Sequence, residues 1–260
     1  MKTLKSDPPD TVSIPRISVI IPARNDAAAL GQTLDYLDGL VRNDAVEVIV
    51  AASGDPGGTE RAVAGRAKLL WPSGSTRSAL MNAGAETARG EILFFLHADS
   101  FPPASVFELI HQALSSNDVA GGAFEHLFVE RGWSLRTITW INRIRYRLTR
   151  NYYGDQGIFV RAALFREMDG YKDLWVLEDL EFTQRLKRVG RSILIPVPVL
   201  TSGRRLLARG PWRTFCFIVW LLFLHTMRLD TQRHAERWRG PGDSPPGSPC
   251  PRGRLQQGVC

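Results

Sequence analysis

Short apolar runs that end at polar residues recur through the first hundred positions of the chain. These runs are residues 17–22, 46–50, 68–71 and 92–96. Runs of this length and composition are typical of strands buried in a parallel sheet. Between them, residues 27–40 and 76–89 carry apolar positions at helical spacing, and Gly90 is predicted to stop the second helix. Strand and helix alternate, so the pattern predicts βαβ units and an α/β domain.

The second half of the chain has a less regular pattern. It predicts helices over 103–114, 133–148, 164–168 and 180–188, and strands over 119–129, 158–160 and 193–195. A tight turn is expected at 154–157, just before the strand at 158–160. The last strand is predicted to close at Pro196 and Pro198, because proline cannot donate a ladder hydrogen bond.

The last ordered segment is predicted over 211–229, and its charge-free core is residues 214–224. Crossing a bilayer takes roughly 20 apolar residues, so a helix lying in a membrane surface fits better than a span. A hydrophobic helix packed on the domain fits the same pattern. Trp133 and Trp140 leave a similar choice open, because they fit an acceptor groove, contact with lipid, or core packing.

The composition of the chain and the distribution of its charge indicate which binding partners to expect. Hydrophobic residues make up 44% of the 260, enough for a sizeable core, and the net charge of +7 is concentrated in two arginine-rich segments, 131–150 and 203–240. Such segregation favours a phosphate-bearing ligand or an anionic membrane surface. No nucleic-acid-binding module is recognisable, so no nucleic acid partner is expected. Three unpatterned cysteines and a polar, proline-rich start favour a cytoplasmic protein, in peripheral contact with the inner membrane face if the last helix binds lipid.

His97 and Asp99 follow the strand at 92–96 directly. Ligands of open α/β sheets bind beyond the carboxyl ends of the strands. Residues two apart on an extended chain point the same way, and one imidazole with one carboxylate is the start of a divalent-metal site. The alternative is that Asp99 only caps the helix that begins near Pro103.

Further polar segments lie at predicted strand ends and helix starts. These segments are residues 22–26, 53–55 and 82–85, together with Arg77 and the acid pair Glu178 and Asp179. Arg204 and Arg205 follow the last strand, where they would clamp a diphosphate or form a solvated loop. Asp155 and Gln156 would border an acceptor site or simply form a turn.

The order and spacing of these pieces resemble the family 2 glycosyltransferases. The resemblance is carried by Ile-Ile-Pro-Ala-Arg-Asn-Asp after the first strand, Asn-Ala-Gly-Ala-x-x-Ala-x-Gly, Phe-Leu-His-Ala-Asp, Gly-Asp-Gln-Gly-Ile-Phe-Val-Arg and the downstream Glu-Asp, and it covers about residues 17–240. It is nearest to a bacterial subgroup encoded beside radical-SAM proteins and linked to arsenosugar synthesis, which Ser202-Gly203-Arg204-Arg205 and the arginine-flanked last helix also resemble.

The resemblance implies a GT-A fold, Rossmann-like, with a mixed, mostly parallel sheet flanked by helices and a C-terminal hydrophobic helix. It also implies a nucleotide-diphospho-sugar donor, a small-molecule or lipid-type acceptor, inversion at the anomeric carbon, and Mn²⁺ or Mg²⁺. We therefore expect a flexible N-terminus (1–16), a GT-A domain (17–205), an amphipathic helical segment (206–239) and a disordered tail (240–260).

The implied site residues fall into four groups. The catalytic base is Asp179, with Glu178 beside it, and the metal residues are Asp99 and His97. The nucleotide-sugar site comprises Pro22, Ala23, Arg24, Asp26, Ser53, Asp55, Arg77, Ala98, Arg204 and Arg205. Asp155 and Gln156 belong to the acceptor site. Two departures from the family are visible: His97 replaces the first acid of Asp-x-Asp, and the second-strand acid is displaced to Asp55.

Three other functions compete with this hypothesis. A nucleotidyltransferase would need a glycine-rich loop with a lysine after the first strand, and Ala23-Arg24-Asn25 offers none. A dinucleotide oxidoreductase would need Gly-x-Gly-x-x-Gly at the same place, which is also absent. A nucleotide- or membrane-binding protein that has lost catalysis remains the third alternative, with His97 as its main support.

Overall fold

The computed structural model describes residues 16–41 and 45–235. The predictions of a flexible N-terminus and of a disordered tail fall outside these residues, except for Arg16. Within them, the chain forms one eight-stranded sheet in the order β3-β2-β1-β4-β7-β6-β8-β5, flanked by helices. This mixed α/β sheet is the fold class that the sequence predicts.

The first half of the chain forms the parallel part of the sheet. Its strands are β1 (Ile17–Arg24), β2 (Val46–Ser53), β3 (Lys68–Leu70) and β4 (Ile92–Phe95), and its helices are α1 (Ala27–Asp38), α2 (Pro56–Val63) and α3 (Arg77–Glu86). β1 lies between β2 and β4 and is parallel to both. The carboxyl ends of these strands therefore meet at one edge of the sheet, as predicted.

The second half adds the antiparallel part and the remaining helices. Its strands are β5 (Ser100–Phe101), β6 (Val119–Phe128), β7 (Ile158–Arg161) and β8 (Arg191–Thr201). Its helices are α4 (Val106–Ala113), α5 (Trp133–Thr149), α6 (Ala162–Glu167), α7 (Glu178–Val189), α8 (Arg204–Arg209) and α9 (Pro211–Thr226), with 3-10 turns at Gly154–Gln156 and Gln232–His234. β7 is antiparallel to both β4 and β6, whereas β8 runs parallel to β6.

Two hydrophobic cores cover the two faces of the sheet. Val19, Ile21 and Phe94 belong to one core, and Ile20 and Phe95 belong to the other. Side chains alternate between the faces of a strand, so an uninterrupted apolar run supplies both cores. The continuous apolar composition of the central strands is explained by this double burial.

The predicted end of the last strand is wrong. β8 continues through Pro196 and Pro198 to Thr201. Its pairing with β6 shifts register between Phe124 and Glu125, which face Ile195 and Pro198, so the extra residues form a bulge. A bulge leaves one strand locally unpaired, and proline is tolerated there because no ladder hydrogen bond is lost.

Two predicted helix boundaries are also wrong. α3 ends at Glu86 with Thr87 as its C-cap, four residues before the predicted stop at Gly90. A Cβ at Gly90 would lie 2.6 Å from the backbone nitrogen of Ser18, so Gly90 serves close packing against β1. α4 begins at Val106 with Ser105 in the N-cap position, so Asp99 does not cap this helix. The intervening residues include β5, which the sequence pattern did not indicate.

Gly122 provides a test of how tightly the middle of the sheet is packed. A Cβ at this position would lie 2.2 Å from the Ile193 carbonyl oxygen and 2.8 Å from the Phe159 ring. Both neighbours belong to adjacent strands and cannot move away freely. We expect Gly122→Ala to lower the free energy of unfolding by about 2–3 kcal/mol, measured by urea denaturation.

Gly132→Ala is the matched control for this substitution. A Cβ at Gly132 meets nothing within 4 Å, so the change should cost less than about 1 kcal/mol. Equal losses for the two variants would contradict the packing account.

Candidate active site

The ends of β1 and β2 are joined by one side chain. Asn25 follows β1 with a φ of 48°, and its Oδ1 accepts a hydrogen bond of 3.1 Å from the Asp55 backbone N–H. Gly54 has a φ of 100°, and a Cβ there would overlap the Asn25 amide. This turn therefore requires glycine. The predicted nucleotide-site residues Ser53 and Asp55 lie at this edge, beside the end of β1.

Asp26 connects the end of β1 to the loop after β8. Its carboxylate accepts hydrogen bonds from both Arg204 and Arg205, 178 and 179 positions further along the chain. Only 9% of the Asp26 side chain is exposed, whereas 44% and 61% of the two arginine side chains are. The arginines therefore keep exposed area with which to contact a ligand. Three predicted nucleotide-site residues are thus brought together.

Other predicted nucleotide-site residues lie close to this edge but have structural partners. The Asp55 carboxylate caps α2 by accepting a hydrogen bond of 3.1 Å from the Gly58 N–H. The Arg24 guanidinium lies 5.3 Å from the centre of the Trp175 ring. The Ala98 carbonyl accepts a hydrogen bond of 2.9 Å from Thr33 Oγ1. Pro22 and Ala23 are buried within β1.

Asp99 lies among the charges of the Asp26 cluster. Burial raises the pKa of the Asp99 carboxyl, with Arg205 acting against this and Asp26 adding to it. Among the described residues, its carboxylate makes no ion pair and no hydrogen bond to another side chain. The Asp99 backbone carbonyl accepts a hydrogen bond of 3.0 Å from the Ser202 N–H, which holds this turn against the arginine loop. The backbone of Asp99 is therefore held in place, while its carboxylate has no side-chain partner among the described residues.

His97 lies between the two charged parts of the cleft. Burial holds the pKa of its imidazole well below the usual range, and Arg77, Arg205 and His126 lower it further. A buried imidazole close to three cationic or titratable groups is neutral at pH 7. Its Nε2 is buried and has no hydrogen-bond partner among the described residues. His97 Nε2 lies close to the Arg77 guanidinium, because a Cβ at Gly154 would be 2.5 Å from the first and 2.0 Å from Nη2 of the second.

The predicted base forms the second charged part of the cleft. Asp179 and Glu178 lie in the first turn of α7, and both are buried. The Arg77 guanidinium, at the start of α3, donates a hydrogen bond to Asp179 Oδ2, and its Nε lies 3.2 Å from Glu178 Oε1. Burial would lower the pKa of Arg77, but Asp179 and Glu178 raise it above its usual range. Arg77 is therefore a fixed cation between two acids.

The two oxygens of Asp179 have different surroundings. Oδ2 accepts hydrogen bonds from Arg77 and from the Gly154 backbone N–H, the latter at 3.0 Å. Oδ1 is buried and has no hydrogen-bond partner among the described residues. One oxygen therefore orients the carboxylate while the other keeps its lone pairs available for a proton.

Gly154 is a site residue that the sequence did not single out. A Cβ there would lie 2.0 Å from Arg77 Nη2 and 2.5 Å from His97 Nε2. Only glycine allows the backbone to approach both groups and still donate to Asp179. The Gly-Asp-Gln-Gly motif contains this glycine, but the chemistry of the motif points first to its polar side chains, Asp155 and Gln156.

The predicted acceptor residues differ in their availability. Gln156 is buried, and its amide is used within the fold, donating to the Phe124 carbonyl and accepting from the Tyr153 N–H. The Asp155 side chain is 34% exposed, with Oδ2 3.6 Å from His126 Nε2. His126 and Tyr153 each keep a buried polar atom without a hydrogen-bond partner among the described residues. Neither residue was predicted, because isolated histidines and tyrosines carry no spacing signal.

Arg77 Nη2 and His97 Nε2 both lie within 2.5 Å of the point that a Cβ at Gly154 would occupy, so the turn that carries His97 and Asp99 lies next to the Arg77–Asp179 pair. In the described part of the chain, no group of three or more His, Cys, Asp or Glu side chains could hold a metal ion. A cation bound at Asp99 would need further ligand atoms from the substrate. The predicted roles of these residues stay predictions at this point.

The carboxyl ends of the parallel strands gather arginines and carboxylates, which is the place where α/β proteins bind their ligands. The family model described as "Glycosyl transferase family 2" matches residues 18–175. The chain belongs to this family, and its sheet is the GT-A fold that the resemblance implied. A search of curated proteins found no significant match.

Solved glycosyltransferases share the fold at low sequence identity. A mannosyltransferase from Pyrobaculum calidifontis, in complex with GDP-Man and Mn²⁺, is 21% identical with a TM-score of 0.56, over 77% of this chain and 61% of that one. Glucosyl-3-phosphoglycerate synthase from Mycobacterium tuberculosis, with Mn²⁺, UDP and glucosyl-3-phosphoglycerate, is 16% identical with a TM-score of 0.57, over 83% and 81%. Mannosyl-3-phosphoglycerate synthase from Rubrobacter xylanophilus is 16% identical with a TM-score of 0.53, over 75% and 70%.

Glu178 gives the site a pH-dependent contribution to stability. Burial raises the pKa of its carboxyl from 4.5 to about 7, with Arg77 opposing and Asp179 adding to the shift. The unfolded chain loses this proton at lower pH than the folded chain does, so stability falls as the pH rises from about 4.5 to 7. Glu178→Gln removes this loss. We expect the variant to gain up to about 3 kcal/mol relative to the parent between pH 4.5 and 8, measured by urea denaturation.

Glu181→Gln is a control with the opposite sign. Burial alone would raise the pKa of Glu181, but hydrogen bonds from Arg185 and Lys172 reverse this and lower it. Its stabilising contribution is present at neutral pH and lost in acid, so this variant should lose most stability near pH 7. The same pH trend in both variants would refute the assignment for Glu178.

Proposed function

We propose that the chain is an inverting glycosyltransferase, moving a sugar from a nucleotide-diphosphate donor to an acceptor hydroxyl by single displacement with Asp179 as the base. The observation that best supports this proposal is that the two oxygens of the Asp179 carboxylate have different surroundings. Arg77 and the Gly154 N–H hold Oδ2, while Oδ1 is buried without a hydrogen-bond partner among the described residues. A base must be oriented and must keep a lone pair free for the proton it accepts.

The charge arrangement supports donor binding at the opposite side of the cleft. Negative charge builds on the departing nucleoside diphosphate, and cationic groups held beforehand near that charge lower the barrier. Arg204 and Arg205 are fixed by Asp26 and still partly exposed. In this proposal they contact the diphosphate, while the ends of β1 and β2 hold the nucleoside.

The residues around Asp99 fit a divalent cation. Its carboxylate has no ion-pair partner among the described residues. It lies near Arg204 and Arg205, the two arginines that would contact the diphosphate. One carboxylate completed by phosphate oxygens is a common way to bind Mg²⁺ or Mn²⁺. When bound, the cation would supply Lewis-acid stabilisation of the leaving diphosphate. His97 remains the predicted second ligand, with its Nε2 on the Arg77 side of the cleft.

The acceptor would lie between Asp179 and the polar atoms left unpaired nearby. His126 Nε2 and Tyr153 Oη are buried without hydrogen-bond partners among the described residues, and Asp155 lies beside His126. Buried polar groups are normally hydrogen-bonded, so orphaned atoms beside a cleft indicate contacts that a ligand completes. These contacts suit a hydroxyl-bearing acceptor, either a small molecule or the headgroup of a lipid.

We also propose membership of the bacterial subgroup linked to arsenosugar synthesis. Its support is the Ser202-Gly203-Arg204-Arg205 motif, whose two arginines pair with Asp26, together with the arginine-flanked helix α9.

Asp179→Asn tests the role of the base. Asparagine keeps the shape and can still accept from Arg77 and Gly154, but it cannot take a proton. A thermal-shift screen of UDP- and GDP-sugars with Mn²⁺ first identifies a donor that binds. We expect release of nucleoside diphosphate from that donor to fall about 100-fold or more, while the thermal shift on donor binding is retained.

Asp118→Asn is the matched control, since its carboxylate is exposed and pairs with Arg191 at the surface. Unchanged turnover in Asp179→Asn would remove this residue as the base. Donor binding without turnover in the parent chain itself would favour the alternative, a nucleotide-binding protein that has lost catalysis.

Asp99→Asn tests the cation site separately from the base. Binding of UDP or GDP is measured by calorimetry with and without Mn²⁺. We expect the affinity with Mn²⁺ to fall about tenfold or more and the affinity without metal to change little, because the variant removes a cation ligand. Asp35→Asn, at a surface ion pair with Arg66, is the control. Equal affinities with and without Mn²⁺ in the parent chain would count against a metal at Asp99.

A further inference from the structure

We propose that α5 and α9 together form a docking surface for an anionic lipid bilayer. We call this surface the α5–α9 face, and it comprises Trp133, Trp140, Ile144 and Leu148 on α5 and Trp212, Cys216, Val219, Phe223 and Met227 on or just after α9. All nine side chains are exposed. Trp133, Trp140 and Leu148 are exposed by 73%, 63% and 79%, so packing of the two tryptophans in the core, one of the sequence-based alternatives, is wrong.

The apolar positions of the α5–α9 face form one stripe on each helix, whereas Trp220, which is also exposed, packs beside His234. On α5 they are spaced by 7, 4 and 4 residues from Trp133, and on α9 Trp212, Val219, Phe223 and Met227 repeat the same spacing. Positions spaced in this way lie on one side of a helix. The buried residues of α9 are Leu221 and Leu224, which lie on the opposite side. Each helix therefore packs by one side and presents an apolar stripe to solvent.

The two stripes are adjacent and form one surface. The rings of Trp133 and Trp212 lie 5.7 Å apart at the starts of their helices, and Trp212 also contacts Phe215. Contiguous exposed apolar surface of this kind marks an interaction site. Aromatic side chains with a polar edge, such as tryptophan, favour the interface between lipid and water.

The charge around the α5–α9 face favours an anionic bilayer as its binding partner. Neither α5 nor α9 contains an acidic residue. Arg131, Arg136, Arg150, Arg213 and Arg228 are exposed on or next to these helices, and in the part of the chain that the structure describes none of them makes an ion pair. Each such cation near an anionic membrane contributes about 1 kcal/mol of attraction. A second copy of the chain would instead bring arginines against arginines.

The geometry favours a helix pair lying in the bilayer surface. Among the described residues, no helix is both long enough and apolar enough to cross a membrane. α9 has 16 residues, and its apolar stripe faces outward along its length. Apolar stripes with flanking arginines are the features of helices that lie at the level of the lipid headgroups.

The face lies next to the loop that carries the diphosphate arginines. A cavity of about 620 Å³ is lined by Phe128, Glu130, Trp133 and Arg136, among others. Glu130 accepts hydrogen bonds from Ser202 Oγ and the Gly203 N–H, directly before Arg204. A bilayer at this face would present lipid headgroups close to the cleft. That consequence rests on the proposed function, whereas bilayer binding itself does not.

The test is co-sedimentation of the full chain with vesicles of phosphatidylcholine alone or mixed with phosphatidylglycerol. We expect binding to the mixed vesicles that weakens at high salt. The combined variant Trp133→Ser, Trp140→Ser and Phe223→Ser should reduce the bound fraction about tenfold or more, because it removes the side chains that enter the bilayer. Trp71→Ser, at a side chain 42% exposed outside the face, is the matched control and should bind like the parent.

Two further measurements decide between occupants. Arg136→Gln with Arg213→Gln should weaken binding to the mixed vesicles several-fold, whereas Arg166→Gln, on exposed α6 surface, should not. A polarity-sensitive fluorophore on Cys216, with Cys250 and Cys260 replaced by serine, should shift to the blue with vesicles. The same label on a Ser115→Cys variant lacking native cysteines should not shift.

Several results would overturn the proposal. These are the absence of parent binding to mixed vesicles, equal loss in Trp71→Ser, or a parent dimer that the combined variant dissociates. Vesicle binding that appears only after deletion of residues 236–260 would show that the face is not available in the intact chain, and it would overturn the proposal for the full-length protein. Donor hydrolysis should be the same in the combined variant and the parent, which keeps this test separate from that of the proposed function.

Discussion

Arg77 forms the ion pairs at the centre of the candidate active site. It lies at the start of α3, and its two acidic partners lie at the start of α7, about 100 residues later in the chain. Two buried carboxylates and one partly exposed guanidinium are in close contact there, and removing Arg77 would leave both carboxylates without a cation. The Asp179 carboxylate, the Gly154 backbone and the His97 imidazole all lie against this guanidinium. The geometry of this part of the site therefore depends on one ion-pair cluster rather than on separate motifs.

The parallel half of the sheet was predictable because its signal is local. Strands β1, β2 and β4 are apolar on both faces, and each ends at polar residues, so the sequence alone indicates a shared edge. On that basis, together with the family resemblance, the sequence predicts that Asp26, Asp99 and Asp179 belong to one site. Their partners could not be assigned. The pairing of Asp26 with Arg204 and the hydrogen bond from Gly154 to Asp179 join distant positions, and no periodicity encodes such contacts.

In the second half of the chain, tertiary contacts decide features that the local sequence does not predict. Proline ordinarily ends a strand, yet β8 continues past Pro196, which lies in a bulge against β6, and past Pro198, where the pairing resumes opposite Glu125. The hydrophobicity of α9 was visible in the sequence, but its orientation was not. Only the packed structure shows that Leu221 and Leu224 face the domain while a row of other apolar side chains faces solvent.

The pairing of Asp26 with Arg204 and Arg205 has a consequence for biosynthesis. The carboxylate emerges early from the ribosome, and its two partners follow only 178 and 179 positions later. Until then the first βαβ unit carries an acid that lacks these partners. The charge balance at the end of β1 is therefore completed only after residue 205 has left the exit tunnel, when the whole of β8 has been synthesised.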